Sequence, residues 1–264
     1  MRQRRYATIV FLSCFLCLAC AAAQEKSPFE QLVAAEAMND DLDSIQSVWR
    51  WEQQIEYPDG QLGTIFEDRT KAVFANRLET ASEKVITESV SMPGEKPEGN
   101  VIAKTTIYYK DSYYHFDRWT HQERQQYKFA DEPEPYDSDF PPEGFTFMTF
   151  EERFIATQSR EGDTLLFTIN PEAVNAYFKE IGTPRKLVKG TVEVELASDG
   201  SVRKTTGTGT YVEGAGTETT LHYKGVIEIE QRGGVTIAFP PELDAYQEIE
   251  RPGSDFPEDD EEDE

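Results

Sequence analysis

Apolar and polar side chains alternate with a period of two along much of this chain, and that pattern restricts the fold most. Between residues 48 and 57 the bulkier, less polar side chains take every second position: Trp49, Trp51, Gln53, Ile55 and Tyr57. The positions between them are mostly charged or amide residues. Because successive side chains of a strand point to opposite faces, the pattern predicts a strand with one apolar and one wet face.

Similar signals recur to near the end of the chain and predict about ten strands in one sheet. They cover 64–76, 77–91, two or three strands within 101–130, then 150–159, 164–169, 192–196, 202–212, 221–229 and 235–239. Turn residues separate several of them, as at Lys110-Asp111-Ser112 and Asp199-Gly200. A sheet of this size curls, so an incomplete barrel is expected.

Two segments carry helix signals. Ser27-Pro28-Phe29-Glu30 is a capping box with proline at the first helical position, and it predicts a helix over 28–40. Asn170-Pro171-Glu172 starts a second helix, which Gly182 closes. The predicted fold class is therefore α+β: a large curled antiparallel sheet with two or three helices on its concave side.

The N-terminus has the three parts of an export signal. Arg2, Arg4 and Arg5 precede an apolar stretch, which ends at Ala21-Ala22-Ala23. Cleavage after Ala23 would give a signal peptide over 1–23. Alternatively, Cys17-Leu18-Ala19-Cys20 resembles a lipobox, in which the signal would end before Cys20 and that cysteine would be lipidated. Both options predict an exported protein, at the cell surface, outside the cell, or in a periplasm where the host has an outer membrane.

The rest of the chain is predicted to form a single domain over 24–253, followed by a disordered acidic tail over 254–264. All three cysteines lie in the signal, so the domain has no disulfide and no cysteine metal site. The acidic, proline-rich segment 131–144 is predicted to be a long loop. It is a candidate gate for a ligand.

The net charge of −24 excludes most polyanionic partners. Such a surface repels nucleic acid and an anionic membrane face. The membrane contact that remains is a lipid on Cys20.

Catalytic and metal motifs are missing from the sequence. The histidines are His115, His121 and His222, and their spacing indicates no metal site. Nucleophile-elbow, phosphate-loop and dinucleotide motifs are absent as well. We predict a protein that is not an enzyme and has no cofactor, although a hydrolase with an unrecognised carboxylate pair stays an alternative.

Aromatic side chains are the candidate ligand contacts. They form a stripe through the predicted sheet and continue just after the 131–144 loop: Trp49, Trp51, Tyr57, Tyr109, Tyr113, Tyr127, Phe145, Phe147 and Met148. In one interpretation they are the ordinary core of a β domain. In the other they line an open groove that binds an acyl chain or another apolar ligand.

The export signal, the first helix, the strand meander and the late helix that opens with Asn170-Pro171 together resemble the LolA-like lipoprotein-carrier superfamily. Mycobacterial LppX-type proteins and Gram-positive envelope lipoproteins are similar. The segment 106–117, TIYYKDSYYHFD, looks like a hairpin common in the last group, with Ser112 in place of the usual glycine.

This resemblance implies an incomplete barrel whose apolar surface holds lipid in the relatives. The function expected from it is an exported cell-envelope binding protein. A surface interaction or sensor module with a filled core and an envelope protein partner is the alternative.

Overall fold

Two antiparallel meanders, joined by one pairing between the ends of the chain, make up the architecture. A computed structural model describes residues 26–40, 42–58, 62–75, 79–90, 98–120, 123–130, 151–214 and 219–250. The helices are α1 (Pro28–Asp40) and α2 (Pro171–Glu180). The strands are β1 (Ile45–Glu56), β2 (Leu62–Ala75), β3 (Glu79–Val90), β4 (Glu98–Lys110), β5 (Tyr113–Thr120), β6 (Glu123–Ala130), β7 (Ile155–Glu161), β8 (Thr164–Ile169), β9 (Arg185–Leu196), β10 (Val202–Glu213), β11 (Thr219–Arg232) and β12 (Gln247–Glu248).

All strands belong to one 12-stranded sheet in the order β12-β6-β5-β4-β3-β2-β1-β11-β10-β9-β8-β7. The first meander is β1 to β6, and the second is β7 to β11. β1 pairs antiparallel with both β2 and β11, so it joins the two meanders at the centre. Within the described residues, β7 and β12 are the two edges of this open sheet.

The two faces of the sheet have different coverings. Residues that pair directly across strands share a face, and α1 and α2 both contact the face that carries Leu165, Val194 and Leu187. We call this the helix face. Followed through the pairings, it includes Trp49 on β1 and Ile107 on β4. We call the opposite side the back face.

α1 is held over β8–β10 by its apolar side chains. Leu32 and Ala35 are buried against Leu165, Phe167 and Val194. Ser27 and Glu30 form the reciprocal capping box that the sequence predicts, with the Glu30 carboxylate accepting from the Ser27 N–H at 2.8 Å. Neither α1 nor α2, the α-helices of the described residues, has the length and apolar content needed to span a bilayer.

α2 is capped and then attached to β9 by two asparagines. The Asn170 side chain accepts from the N–H groups of Glu172 and Ala173, as expected for an N-cap. The Asn175 side chain accepts from the Leu187 N–H at 2.7 Å and donates to the Leu187 carbonyl at 3.0 Å. The described pairing of β8 with β9 does not extend to Leu187. The Asn175 amide therefore satisfies the two backbone groups of Leu187 that a neighbouring strand would otherwise pair with.

Removing this amide should destabilise the domain. In Asn175→Ala the two backbone groups of buried Leu187 lose these partners, so we expect a loss of about 1–3 kcal/mol in the free energy of unfolding. Denaturant titration would measure it. Asn175→Asp keeps the acceptor and should lose less, whereas Lys179→Ala, on an exposed position of α2, is the control. Equal stability of Asn175→Ala and the parent would contradict this role.

The C-terminal residues cross the back face instead of adding a long strand. We call 233–249 the C-terminal strap. Gly233 donates to the Ser44 carbonyl at 2.8 Å beside β1, and the Phe239 ring lies 6.0 Å from the Tyr108 ring on β4. The strap ends at β12, which pairs parallel with β6. The strand predicted at 235–239 is therefore wrong: these residues have no strand pairing.

Most of the other predicted elements agree with the structure, but the strand predicted over 150–159 begins only at Ile155, because Glu152–Phe154 form a 3₁₀ turn. The large antiparallel sheet and the helices at 28–40 and 171–180 are confirmed, and 101–130 holds three strands. Asp111 and Ser112 form the predicted turn with positive φ angles of 51° and 64°. Three predicted segments lie outside the described residues: the signal over 1–23, the 131–144 loop and the 254–264 tail.

The strap covers a histidine. His115 on β5 is only 4% exposed, and its ring lies 5.9 Å from that of Tyr246 on the strap. Burial, and after it the charge of Lys128, lowers the pKa of the His115 imidazole below its usual 6.5. The Asp244 carboxylate on the strap acts in the opposite direction on the pKa of His115, but more weakly than burial and Lys128 do.

Stability should consequently fall on mild acidification. A group whose pKa is lower in the folded state binds a proton more readily when unfolded, so its contribution is complete above about pH 6.5 and is lost below it. We expect the thermal midpoint to fall between about pH 7 and pH 5. In His115→Phe this part of the dependence should be absent. An unchanged pH profile in that variant would contradict the assignment.

Candidate functional site

The register of β3–β6 builds a pocket on the helix face. Directly paired residues form rows across the four strands, and one such row is Lys84, Thr105, Arg118 and Gln125. This row crosses a pocket of about 430 Å³. The pocket is lined by Ser82, Lys84, Ile86, Ala103, Thr105, Ile107, Arg118, Thr120, Glu123 and Gln125. We call it the β3–β6 pocket.

Small side chains create this space. Toward one end of the strands, the rows of the helix face carry large aromatic rings, which are Tyr109, Tyr114, Phe116, Tyr127 and Phe129. Ser82 takes the β3 position in the row of Phe116, and Ala103, Thr105 and Thr120 take equivalent positions in the next two rows, which line the pocket. A serine, alanine or threonine fills far less of the space above a sheet than an aromatic ring does, so a depression is left beside the aromatic rows.

The aromatic rows form a closed wall at one end of the pocket. The rings of Phe116 and Tyr127 are stacked at 5.0 Å with an interplanar angle of 9°, and Phe116 is 1% exposed. Ile107 belongs both to this cluster and to the pocket lining. The wall is therefore a packed core, and the space available to a ligand begins where it ends.

Charged groups on the pocket lining are of both signs. The Lys84 ammonium contacts the Asp68 carboxylate at 3.1 Å. Arg118 donates from Nη1 to the Tyr127 hydroxyl at 3.4 Å. Glu123 lies at the exposed end of the lining and accepts from the Gln125 amide at 3.5 Å. A ligand here would contact one paired cation, one cation bonded to a neutral group, and a carboxylate at the margin.

The other half of the helix face is filled. α2 and the short 3₁₀ turn before β7 place Val174 and Phe154 over β8–β11, together with Ile169, Leu187 and Tyr211. The cavity left there is about 80 Å³. It is bounded on the β1 side by Trp51, whose ring lies 5.2 Å from that of Tyr223. This volume is well below the roughly 300–1,000 Å³ of typical small-molecule pockets.

Glycines under the aromatic rings allow this filling. Gly209 lies under Tyr211, and a Cβ atom on Gly209 would stand 2.6 Å from Cε2 of that ring. The Tyr211 ring in turn makes an edge contact with Tyr223 at 5.2 Å. Glycine at 209 is thus required by the ring above it.

Replacing this glycine should disturb the filled half. We expect Gly209→Ala to lose about 1–3 kcal/mol in the free energy of unfolding, because the Tyr211 ring must move. In a Tyr211→Leu background the same change should cost clearly less, which a double-mutant cycle measures. Equal costs in the two backgrounds would show that the ring contact is not the cause.

The structure separates the aromatic residues that the sequence groups together. Trp49 and Trp51 share the helix face at the centre of the sheet, and Tyr109 and Tyr127 belong to the buried aromatic cluster. Tyr113 lies on the back face, where the Lys128 ammonium is 5.4 Å from its ring centre. It does not line the same surface as the others.

The remaining predicted contacts are placed as follows. Tyr57 follows the end of β1 and is 46% exposed. Phe145, Phe147, Met148 and the possible lipidation site Cys20 lie outside the described residues.

Sequence reasoning did not identify the polar lining, above all Lys84, Thr105 and Arg118. The available signal was the alternation Ser82-Lys84-Ile86 beside Ala103-Thr105-Ile107. This alternation places each trio on one face. That the trios are neighbours follows only from the β3–β4 pairing.

The described residues form no metal site, and the two described histidines lie apart from each other. Among the described residues, no group of three or more His, Cys, Asp or Glu side chains could hold a metal ion. His115 lies under the strap, and the His222 Nε2 atom is 3.2 Å from the Glu56 carboxylate on the β1–β11 pair. His121 lies outside the described residues.

Comparison with known proteins identifies no family for this chain. No protein-family model matches the chain, and no curated protein matches it. The S-type phycobiliprotein lyase CPES from Guillardia theta is similar at 8% identity over 78% of this chain and 94% of that chain, with a TM-score of 0.24. The ywiB protein from Bacillus subtilis is similar at 8% identity over 72% of this chain and 94% of that chain, with a TM-score of 0.19. The resemblance to the LolA-like superfamily stays a prediction.

Proposed function

We propose that this protein is an exported, non-enzymatic binding protein that holds a lipid or other apolar ligand on the helix face of β3–β6. The observation that carries the proposal is the contrast between the two halves of that face. Helices and aromatic rings fill the space over β8–β11, whereas the described residues leave a pocket of about 430 Å³ over β3–β6.

The pocket has the size and lining of a ligand site. Its volume falls within the roughly 300–1,000 Å³ typical of small-molecule pockets. Ile86, Ala103 and Ile107 supply apolar surface, and the long methylene chains of Lys84 and Arg118 can add to it. The polar atoms of the lining would hold the ligand in one orientation.

Export is proposed from the sequence. The basic, apolar and small-residue parts of 1–23 support secretion, and Cys20 supports a lipid anchor in the cell envelope. Intact-mass spectrometry of the protein from its own cells distinguishes the two forms. A chain that starts at Cys20 with a diacylglyceryl group is a lipoprotein, whereas a chain that starts at Gln24 is freely secreted.

Two neighbouring threonines test the pocket itself. Thr105 lies in the pocket, and Thr106 is the next residue of the same strand on the back face. We expect Thr105→Trp to weaken binding of the uncharged fluorescent probe N-phenyl-1-naphthylamine at least tenfold, because the indole fills the space. Thr106→Trp makes the same chemical change outside the pocket and should bind as the parent does.

The outcomes separate the candidate functions. An amphiphile that co-purifies with the parent and is lost from Thr105→Trp supports the proposal, provided that both variants keep the parent's thermal transition. Equal probe binding by the two variants would place any ligand elsewhere. A parent that is empty and binds no probe would overturn the proposal and favour the interaction module with a protein partner.

A further inference from the structure

We propose that the ligand of the β3–β6 pocket is a single-chain amphiphile with one carboxylate, and that Arg118 binds this carboxylate. This inference rests on the proposed function and specifies the class of ligand. It follows from the pairing of the charges in the pocket, from the position of Arg118 in its row, and from the surface that adjoins it.

Arg118 is the cation available to a ligand. It is exposed on β5, and its hydrogen bond to the neutral Tyr127 hydroxyl occupies only Nη1. Within the described residues no carboxylate lies within ion-pair distance of it. A guanidinium has five N–H donors in a planar fork, so most of the Arg118 donors have no partner among the described residues and can bind a carboxylate in a bidentate manner.

The other charges of the pocket set the charge of the ligand. Lys84 is already neutralised by Asp68 at 3.1 Å. Glu123, at the margin, disfavours a second negative charge on anything bound nearby. Arg118 is therefore the cation of the lining that has no carboxylate within ion-pair distance among the described residues. A singly charged carboxylate matches it, whereas a phosphate monoester, with nearly two charges, does not.

Position within the rows gives the direction of the apolar chain. Arg118 pairs directly with Thr105 on β4, and the next residue of β4 on the same face is Ala103, which pairs with Ile86 on β3. Ile86 and Ala103 both line the pocket and supply apolar surface there. Toward the other end the aromatic wall is closed. An alkyl chain with its carboxylate at Arg118 would therefore lie over Ala103 and Ile86, away from the aromatic wall.

Net charge makes this local cation necessary. The chain carries −24 in total, so an anion is repelled at long range. A cation in direct contact with the head group offsets this repulsion at the point where the ligand binds. This repulsion is screened over about 10 Å at 0.1 M salt, so binding should tighten modestly with added salt until the Arg118 contact itself is screened.

The test compares probes that share one alkyl length and differ in the head group. Dodecanoate, dodecan-1-ol and dodecyl phosphate are each titrated into the full-length protein after removal of co-purified lipid, by displacement of N-phenyl-1-naphthylamine. We expect dodecanoate to bind about ten- to a hundredfold more tightly than dodecan-1-ol, as a charge-assisted bidentate contact would give.

Arg118→Gln should remove this preference and leave the alcohol unaffected. Arg118→Lys, which keeps the charge but lacks the fork, should retain part of it. The control is Arg69→Gln, which makes the same change of net charge on the back face of β2. It should bind all three probes as the parent does.

Each failure has a distinct meaning. If no probe binds the parent, the proposed function is overturned. If dodecanoate and dodecan-1-ol bind equally, or if Arg118→Gln keeps the preference, the pocket function stands and the role of Arg118 is overturned. If dodecyl phosphate binds more tightly than dodecanoate, the carboxylate assignment is overturned.

Discussion

The pairing of β1 with β11 is the interaction on which the rest of the sheet depends. Each meander can form from sequential hairpins, but β1 and β11 come from opposite ends of the domain. Their pairing closes a long loop, whose entropy is lost before the new contacts compensate for it. Apolar side chains repay this cost on the helix face, where Trp49 is opposite Ile227 and Ile55 is opposite Leu221. The two halves of the helix face are held in fixed positions relative to each other only after this pairing has formed.

With the two halves of the helix face held together, one half is a packed core and the other carries the proposed binding site. Over β8–β11, glycines accept aromatic rings and α2 adds Val174 and Phe178, so that half is a core. Over β3–β6, the small side chains of Ser82, Ala103 and Thr105 have no helix above them among the described residues. The first half supplies the stability that permits the second to keep an unfilled surface. A binding site of this type requires little local strain, because a rigid sheet already fixes its side chains.

Local patterns in the sequence predict the elements but not their neighbours. Alternation located most strands, and the caps at Ser27 and Asn170 located both helices, because these signals act over a few residues. The segment 235–239 alternates in the same way, yet it forms no strand, because β1 and β10 already occupy both edges of β11. The face of Tyr113 was missed for a related reason: the two-residue turn at Asp111-Ser112 sets the register of β5. The pocket depends on four strands in register, so no local window contains it.

The C-terminal strap has a mechanical consequence. Because the strap returns from β11 to β6 over the back face, tension applied to the chain beyond residue 250 acts first on the two-residue strand β12. It next acts on the ring contacts of Tyr246 and Phe239, and only then on the long β11 pairings. The weak contacts would yield one after another and lengthen the chain before the sheet bears the load. The strap thus places a series of weak contacts between residue 250 and the strands that hold the pocket.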